Sequence, residues 1–249
     1  HHHQFQSLLR NIPSMQDSSL FPWIRDLCRL MRELTDEDLY TASLLNHAEL
    51  LLSGCTTAAD HHYLKVNDIR FDTCVEAARD AGIRFHLLRG SNSVGQSKGG
   101  VPPDDVVEDE DDILADSERL IRTYHDPMPG AMVRLDLAPS SPFSVSPRLM
   151  KESIKLARQH GIGSHTHLAQ SAADEQYTRD KYGRSSVEMA EEWGWVGPDV
   201  WYAHATALSR CSSSDSPRIS ASETSRRKSR TEPSTIVVDN DKAVAWKDI

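Results

Sequence analysis

The stretch GIGSHTHLAQS, residues 161–171, sets His165 and His167 one residue apart, and the same H-x-H spacing recurs at His1 and His3. In an extended strand a spacing of two points both side chains to one face. Imidazole nitrogens suit zinc, and a catalytic zinc site takes about three protein ligands with one position left open. A further histidine, His204, closes the apolar run DVWYAHATAL. Gln170 follows His167 by three residues, where an acid would make chemical sense. An amide there can hold a water or a substrate, but it cannot exchange a proton at neutral pH. A run of three histidines is commonly a purification tag, yet His1, His2 and His3 lead straight into QFQSLLR, which has helix-compatible apolar spacing. The adjacent His61 and His62 can point only one ring inward, which favours a loop or pocket-wall role. His47, His125 and His160 fall within or at the ends of helical segments and are expected at the surface or as caps.

Positioning these side chains requires strands that end where the histidines stand. Apolar periodicity of the 3.6 type runs through LFPWIRDLCRLMRELTDEDLYTASLLNHAELLLSG and breaks near Thr35. Thr35 and Asp38 make a capping box for a second helix that stops at Gly54. CTTAADHHY then predicts a short buried strand, IRFDTCVEAARDAG a helix ending at Gly82, and IRFHLLRG the next strand. A Gly-rich loop over 90–103 leads to a helix over about 107–125, the strand AMVRLDLAP and a helix from Pro147 to His160. GIGSHTHLA, a helix over about 186–194 and DVWYAHATAL complete the alternation. Strands alternating with helices indicate βαβ units and a parallel sheet. The pattern predicts a TIM-like (β/α)8 barrel in which six strand positions are visible and the seventh and eighth are missing. In such a barrel the reactive side chains come from the C-terminal ends of strands.

The 249 residues suffice for one large domain, and a net charge of −9 argues against a nucleic-acid binder. The four cysteines, Cys28, Cys55, Cys74 and Cys211, show no CxxC spacing, which fits a reducing, cytoplasmic setting. No run approaches the ~20 apolar residues of a membrane span, and no signal-peptide pattern is present, so no membrane role is expected. The acidic run DDVVEDEDD, residues 104–112, lacks calcium-loop spacing and reads as a solvated loop and helix N-terminus. Residues 209–235 are rich in Ser and Arg, with Ile219 as the only large aliphatic side chain, and are expected to be disordered and early cleaved by protease. Residues 236–249 read as a short hairpin-like segment, which leaves 1–208 as the barrel.

HHHQFQSLLR, SGCTTAADHHY, RFHLLRGS, GGVPPDDVVEDEDDIL, LAPSSPFSVSP, SHTHLA and WYAHA, in this order, resemble the amidohydrolase superfamily. Within it they are most similar to the 8-oxoguanine deaminase and hydroxyatrazine or atrazine hydrolase group. The resemblance covers about residues 1–208 and implies a metal-dependent aminohydrolase acting on carbon–nitrogen bonds of a purine or s-triazine-type heterocycle. It implies zinc, with iron as the alternative, held by His1, His3 and His167. His204 is then the histidine that orients the attacking water and polarises the substrate, and Gln6 the glutamine that hydrogen-bonds the ring. In such enzymes the metal lowers the pKa of its water toward ~7, and hydroxide attacks a ring carbon bearing the leaving group. Two departures stand out. Gln170 occupies the place of a proton-shuttling glutamate, and a strand-end aspartate ligand has no secure counterpart, since the surroundings of Asp239 do not match. The expectation is therefore an enzyme by descent that is inactive as written. The alternatives are a non-catalytic heterocycle-binding protein, favoured by Gln170, and a mis-spliced fragment, favoured by the abrupt change at Ser209. Open barrel edges would favour homo-oligomers.

Overall fold

The computed structural model describes residues 1–208. The expectations for 209–235 and 236–249 lie outside the described residues. Five strands, β1 (Thr57–His62), β2 (Arg84–Ser91), β3 (Val133–Pro139), β4 (Ser164–Leu168) and β5 (Val200–His204), form one parallel sheet in sequence order. Seven α-helices accompany them: α1 (Leu20–Met31), α2 (Asp36–Leu52), α3 (Phe71–Ala81), α4 (Glu110–Tyr124), α5 (Pro147–His160), α6 (Ala172–Tyr182) and α7 (Ser186–Glu192). The described residues are an incomplete TIM-like barrel, a sheet curled into a half-barrel with helices outside.

Local chemistry sets most of the boundaries. Thr35 accepts from the Asp38 amide while the Asp38 carboxylate accepts from the Thr35 amide, so the expected capping box starts α2. Pro147 follows the Ser146 cap that starts α5, and Gly82 and Gly161 end α3 and α5 at φ of 73° and 66°, a left-handed conformation that favours glycine. The β3–β4 join is thin, with only Leu137 and Ser164 in register. Here Gly163 donates its amide to Asp136 at 3.0 Å, and a Cβ on Gly163 would lie 2.6 Å from that carboxylate. No side chain larger than hydrogen fits there.

The first strand position differs from expectation. His1–His3 is not a strand but a single parallel bridge, His2 to Asp60, beside β1. The chain enters a 3-10 helix over Gln4–Leu9 directly after His3, and the fully buried Asp60 accepts the Gln4 amide there at 2.8 Å. His47 is also not at the surface. It is buried in α2, 3.1 Å from the Gln4 amide nitrogen, and burial lowers its pKa to about 4.

Two apolar clusters hold the layers. One joins α1, α2 and α3 to β1–β3 through Leu27, Leu39, Phe71, Phe85 and Leu135, and the other joins α5 and α7 to β4 and β5 through Ile154, Met189, Trp195 and Val200. Between the helices, Arg89 has a fully buried side chain that reaches Glu108 at 2.8 Å and Asp116 at 3.3 Å, with its guanidinium 4.2 Å from the Phe71 ring. The acidic run is therefore not wholly solvated. Glu108 neutralises a buried arginine and Asp109 caps α4. Among the described residues no helix is long and apolar enough to cross a membrane, and Cys28, Cys55 and Cys74 are free thiols.

Candidate metal centre

In a flat sheet the segment beside β1 would stand more than ~14 Å from β4, at about 4.8 Å per strand. Instead the His1 Nδ1 lies 3.0 Å from the His165 Nε2, and the His3 Nε2 lies 3.2 Å from the His167 Nε2. The curl thus brings the two H-x-H pairs face to face. His1, His3, His61 and His167 each offer a ring nitrogen to a set lying wholly within 4.8 Å.

Hydrogen bonds fix the protonation of each ring, because a backbone carbonyl only accepts. The His3 Nδ1–H donates to the His61 carbonyl at 2.7 Å, and the His167 Nδ1–H donates to the Ser140 carbonyl at 2.8 Å. In their neutral forms both rings therefore turn bare Nε2 lone pairs toward each other. His165 donates its Nδ1–H to the Trp201 carbonyl at 3.1 Å, so its Nε2 accepts from the His1 Nδ1–H. The His1 Nε2 is left bare, 3.4 Å from the His3 Nε2. His61 donates its Nε2–H to the Ala138 carbonyl at 2.8 Å. Burial holds His3 and His61 well below the usual imidazole range, reinforced by the neighbouring His167, and brings His167 to about 4. At neutral pH these are uncharged imidazoles, the form that ligates metal.

A divalent ion fits this donor set. Tetrahedral Zn–N bonds of ~2.0–2.1 Å put ligand nitrogens about 3.3–3.4 Å apart, close to the 3.2 and 3.4 Å here. Each ring's other nitrogen is engaged by a carbonyl or a histidine, the outer-shell pattern that orients metal ligands.

Beside the cluster lies a cavity of about 220 Å³ lined by His3, Trp23, Tyr63, Asn92, Ser141, Phe143, His167, Gln170 and His204 among others. Its aromatic walls suit a flat ring and its polar groups suit ring nitrogens and exocyclic groups. His204 stacks obliquely near His167, ring centroids 5.3 Å apart. Backbone strain supports these positions, since Ala169, His204 and Ala205 hold φ of 47°, 72° and 53° at the ends of β4 and β5. Each costs about 1–3 kcal/mol and such residues cluster at functional sites. Bonds between the two strand ends offset that cost. Ala205 donates to the Leu168 carbonyl at 2.9 Å, Ala207 to the Ala169 carbonyl at 2.8 Å, and the Thr206 hydroxyl to the Gln170 carbonyl at 2.9 Å. The buried Asp174 accepts the Gln170 amide at 3.0 Å, and burial raises its pKa to about 6.

Of the residues singled out in the sequence, His1, His3 and His167 converge, and His167, Gln170 and His204 share the cavity. Gln6 stands apart from that cavity: it donates to the Tyr63 hydroxyl at 2.9 Å and lines an adjoining cavity of about 430 Å³. His61 corrects the expectation of a loop or wall residue, since it stands in β1, one residue before the strand's end, within the cluster. The inward half of the His61–His62 pair was readable from strand alternation. His62 faces the other way, between Phe5 and Phe71 at centroid distances of 4.8 and 5.2 Å.

Comparison with known proteins settles the lineage. Residues 1–243 match the amidohydrolase family. The chain belongs to this family. It is 44% identical over 206 residues to 8-oxoguanine deaminase from Pseudomonas aeruginosa, covering 82% of this chain and 46% of that protein. To hydroxydechloroatrazine ethylaminohydrolase from Pseudomonas sp. (strain ADP) it is 37% identical over 209 residues, 82% and 43% of the two chains. Its fold superposes on a zinc complex of atrazine chlorohydrolase from Arthrobacter aurescens with a TM-score of 0.79 and 29% identity, covering 84% of this chain and 48% of that one. This amidohydrolase thus spans under half the length of the curated relatives named here.

Proposed function

We propose that this amidohydrolase chain supplies the metal-binding strand ends of an aminohydrolase acting on carbon–nitrogen bonds of a purine or s-triazine-type heterocycle. One observation carries the reading. The bare Nε2 atoms of His3 and His167 face each other at 3.2 Å while both Nδ1 hydrogens are held by backbone carbonyls. Two opposed lone pairs need a cation between them, and their burial disfavours a proton as that cation. His1, His3 and His167 would hold zinc, with iron as the alternative. The ion would supply Lewis acidity and make water a nucleophile near neutral pH.

The chain's own residues divide the remaining work. His204 orients the attacking water and polarises the substrate, Trp23 and Phe143 supply aromatic wall for the flat ring, and Gln6 contributes to ring recognition through Tyr63. Gln170 keeps a hydrogen-bonding group beside His167 but cannot accept a proton. A heterocycle-binding role without turnover is the second reading, and Gln170 is the observation that favours it. The similarity to deaminases and hydrolases of small heterocycles supports the substrate class, and the lack of CxxC spacing among the four cysteines fits a reducing, cytoplasmic setting. Self-association through the β5 edge belongs to the same reading.

Equilibrium dialysis of the 249-residue chain against zinc, followed by ring binding and ammonia release, tests the proposal. One tightly held zinc, lost in His3→Ala and His167→Ala, is expected, together with binding of 8-oxoguanine or an aminotriazine. A chain that takes up no zinc refutes the metal reading, and a zinc-loaded chain that binds neither ring refutes the substrate class.

A further inference from the structure

We propose that His61 completes a four-imidazole metal site, offering its Nδ1 beside the bare nitrogens of His1, His3 and His167. The inference rests on the reading that this cluster holds a divalent metal, and it names the fourth donor.

His61 is the fifth residue of β1 and is fully buried. Its Nε2–H is held by the Ala138 carbonyl on β3 at 2.8 Å, and its Nδ1 is buried without a hydrogen-bond partner. The ring packs against His3 and His167 at centroid distances of 5.2 and 4.7 Å. An acceptor left bare in a dry interior is costly unless something fills it. His61 therefore shares with its three neighbours one nitrogen held by a hydrogen bond and one that carries no proton, in a set of ring nitrogens lying within 4.8 Å.

Two consequences follow from a donor set made only of imidazoles. It contains no hard oxygen ligand, so it selects zinc and its late first-row neighbours over manganese and magnesium. It also fills a tetrahedral ion completely, whereas catalytic zinc sites keep one position open. Water then has access only by expansion to five ligands, so the site retains metal better than it activates water. A chain that holds zinc firmly and turns over little is the expected phenotype.

The test is zinc K-edge X-ray absorption on the zinc-loaded 249-residue chain, with chelator competition on wild type, His61→Ala, His61→Phe and His3→Ala. Four imidazoles per zinc at ~2.0–2.1 Å are expected in wild type, three in His61→Ala and His61→Phe. Affinity should fall in both by at least the ~10–100-fold that loss of even an outer-shell partner costs. His61→Phe keeps a ring in the wall, and the wild-type count stands should either variant fail to fold. Three imidazoles in wild type, or unchanged affinity in both His61 variants while His3→Ala loses zinc, overturns the four-imidazole site and leaves the metal reading intact. Absence of zinc from wild type removes the metal reading and this inference with it.

Discussion

Acidification from pH 7.5 to 5 should destabilise the metal-free chain, and the buried histidines set the size of the effect. A histidine whose folded pKa is depressed contributes stability that is present above its unfolded value of ~6.5 and is lost as pH falls toward the folded value. His47 and His167 are brought down to about 4 and His62 to about 3, with burial the main cause for each. At 1.36 kcal/mol per pKa unit, each removes about 2 kcal/mol between pH 7.5 and 5. Two carboxylates act in the opposite sense. Burial raises Asp60 to about 7 and Asp174 to about 6, so their contribution is present at low pH and lost as pH rises through those values. Acidification returns about 2–3 kcal/mol from Asp60 and about 1 kcal/mol from Asp174. The balance is a loss of about 2 kcal/mol, deepened by His3, His61 and His165, whose values are also lowered. Urea melts at both pH values measure it. His62→Phe, which keeps a ring between Phe5 and Phe71, should remove about 2 kcal/mol of the pH dependence. Equal stability of the metal-free chain at both pH values, or an unchanged slope in His62→Phe, would refute the reasoning.

Gln170→Glu restores a proton acceptor worth ~10²–10⁴ in rate, but with no strand-end carboxylate beside the cluster among the described residues we expect negligible ammonia release from the unmodified chain and little recovery from this change alone. Brisk zinc-dependent turnover of 8-oxoguanine by the unmodified chain would sink that expectation. Arg89→Met leaves Glu108 without its buried cation, while Asp116 keeps Arg119 at 2.8 Å, and should cost about 3 kcal/mol of unfolding free energy, measured by chemical denaturation. A loss under 1 kcal/mol would mean that the Glu108 carboxylate finds water. Thr35→Ala removes one half of the α2 capping box and should cost about 1 kcal/mol, with no change in zinc affinity.

The pattern of strands and helices was legible because apolar periodicity and punctuating residues agree with the tertiary fold at most positions. Pro147 and Gly161 bound α5 on both sides, and Gly82 ends α3 where expected. Helix α6 gave a weaker signal, since Ala172–Tyr182 has little apolar periodicity and buries only Asp174, Glu175 and Thr178. The Ser171 cap and Gly183 were its only sequence marks. The first strand is reduced to a bridge because only His1–His3 precede the 3-10 helix that starts at Gln4, whose amide the buried Asp60 accepts from 56 positions away.

The site was legible in pairs but not as a set. Alternation says that His1 and His3 share a face and that only one of His61 and His62 points inward, and both statements hold. What alternation lacks is the curl of the sheet, which decides that the inward ring of β1 meets the rings of β4. It also lacks the carbonyls that choose a tautomer. Ala138, Ser140 and Trp201 carry no side-chain chemistry in this role, yet their backbone oxygens determine which nitrogen of His61, His167 and His165 carries the proton and which is left bare. A substitution at Ala138 or Ser140 that moved its carbonyl by an ångström would rotate a ligand ring while leaving every histidine in place. The identity of the ligands is thus written in the histidines, while their readiness to bind is written in the strands that hold them.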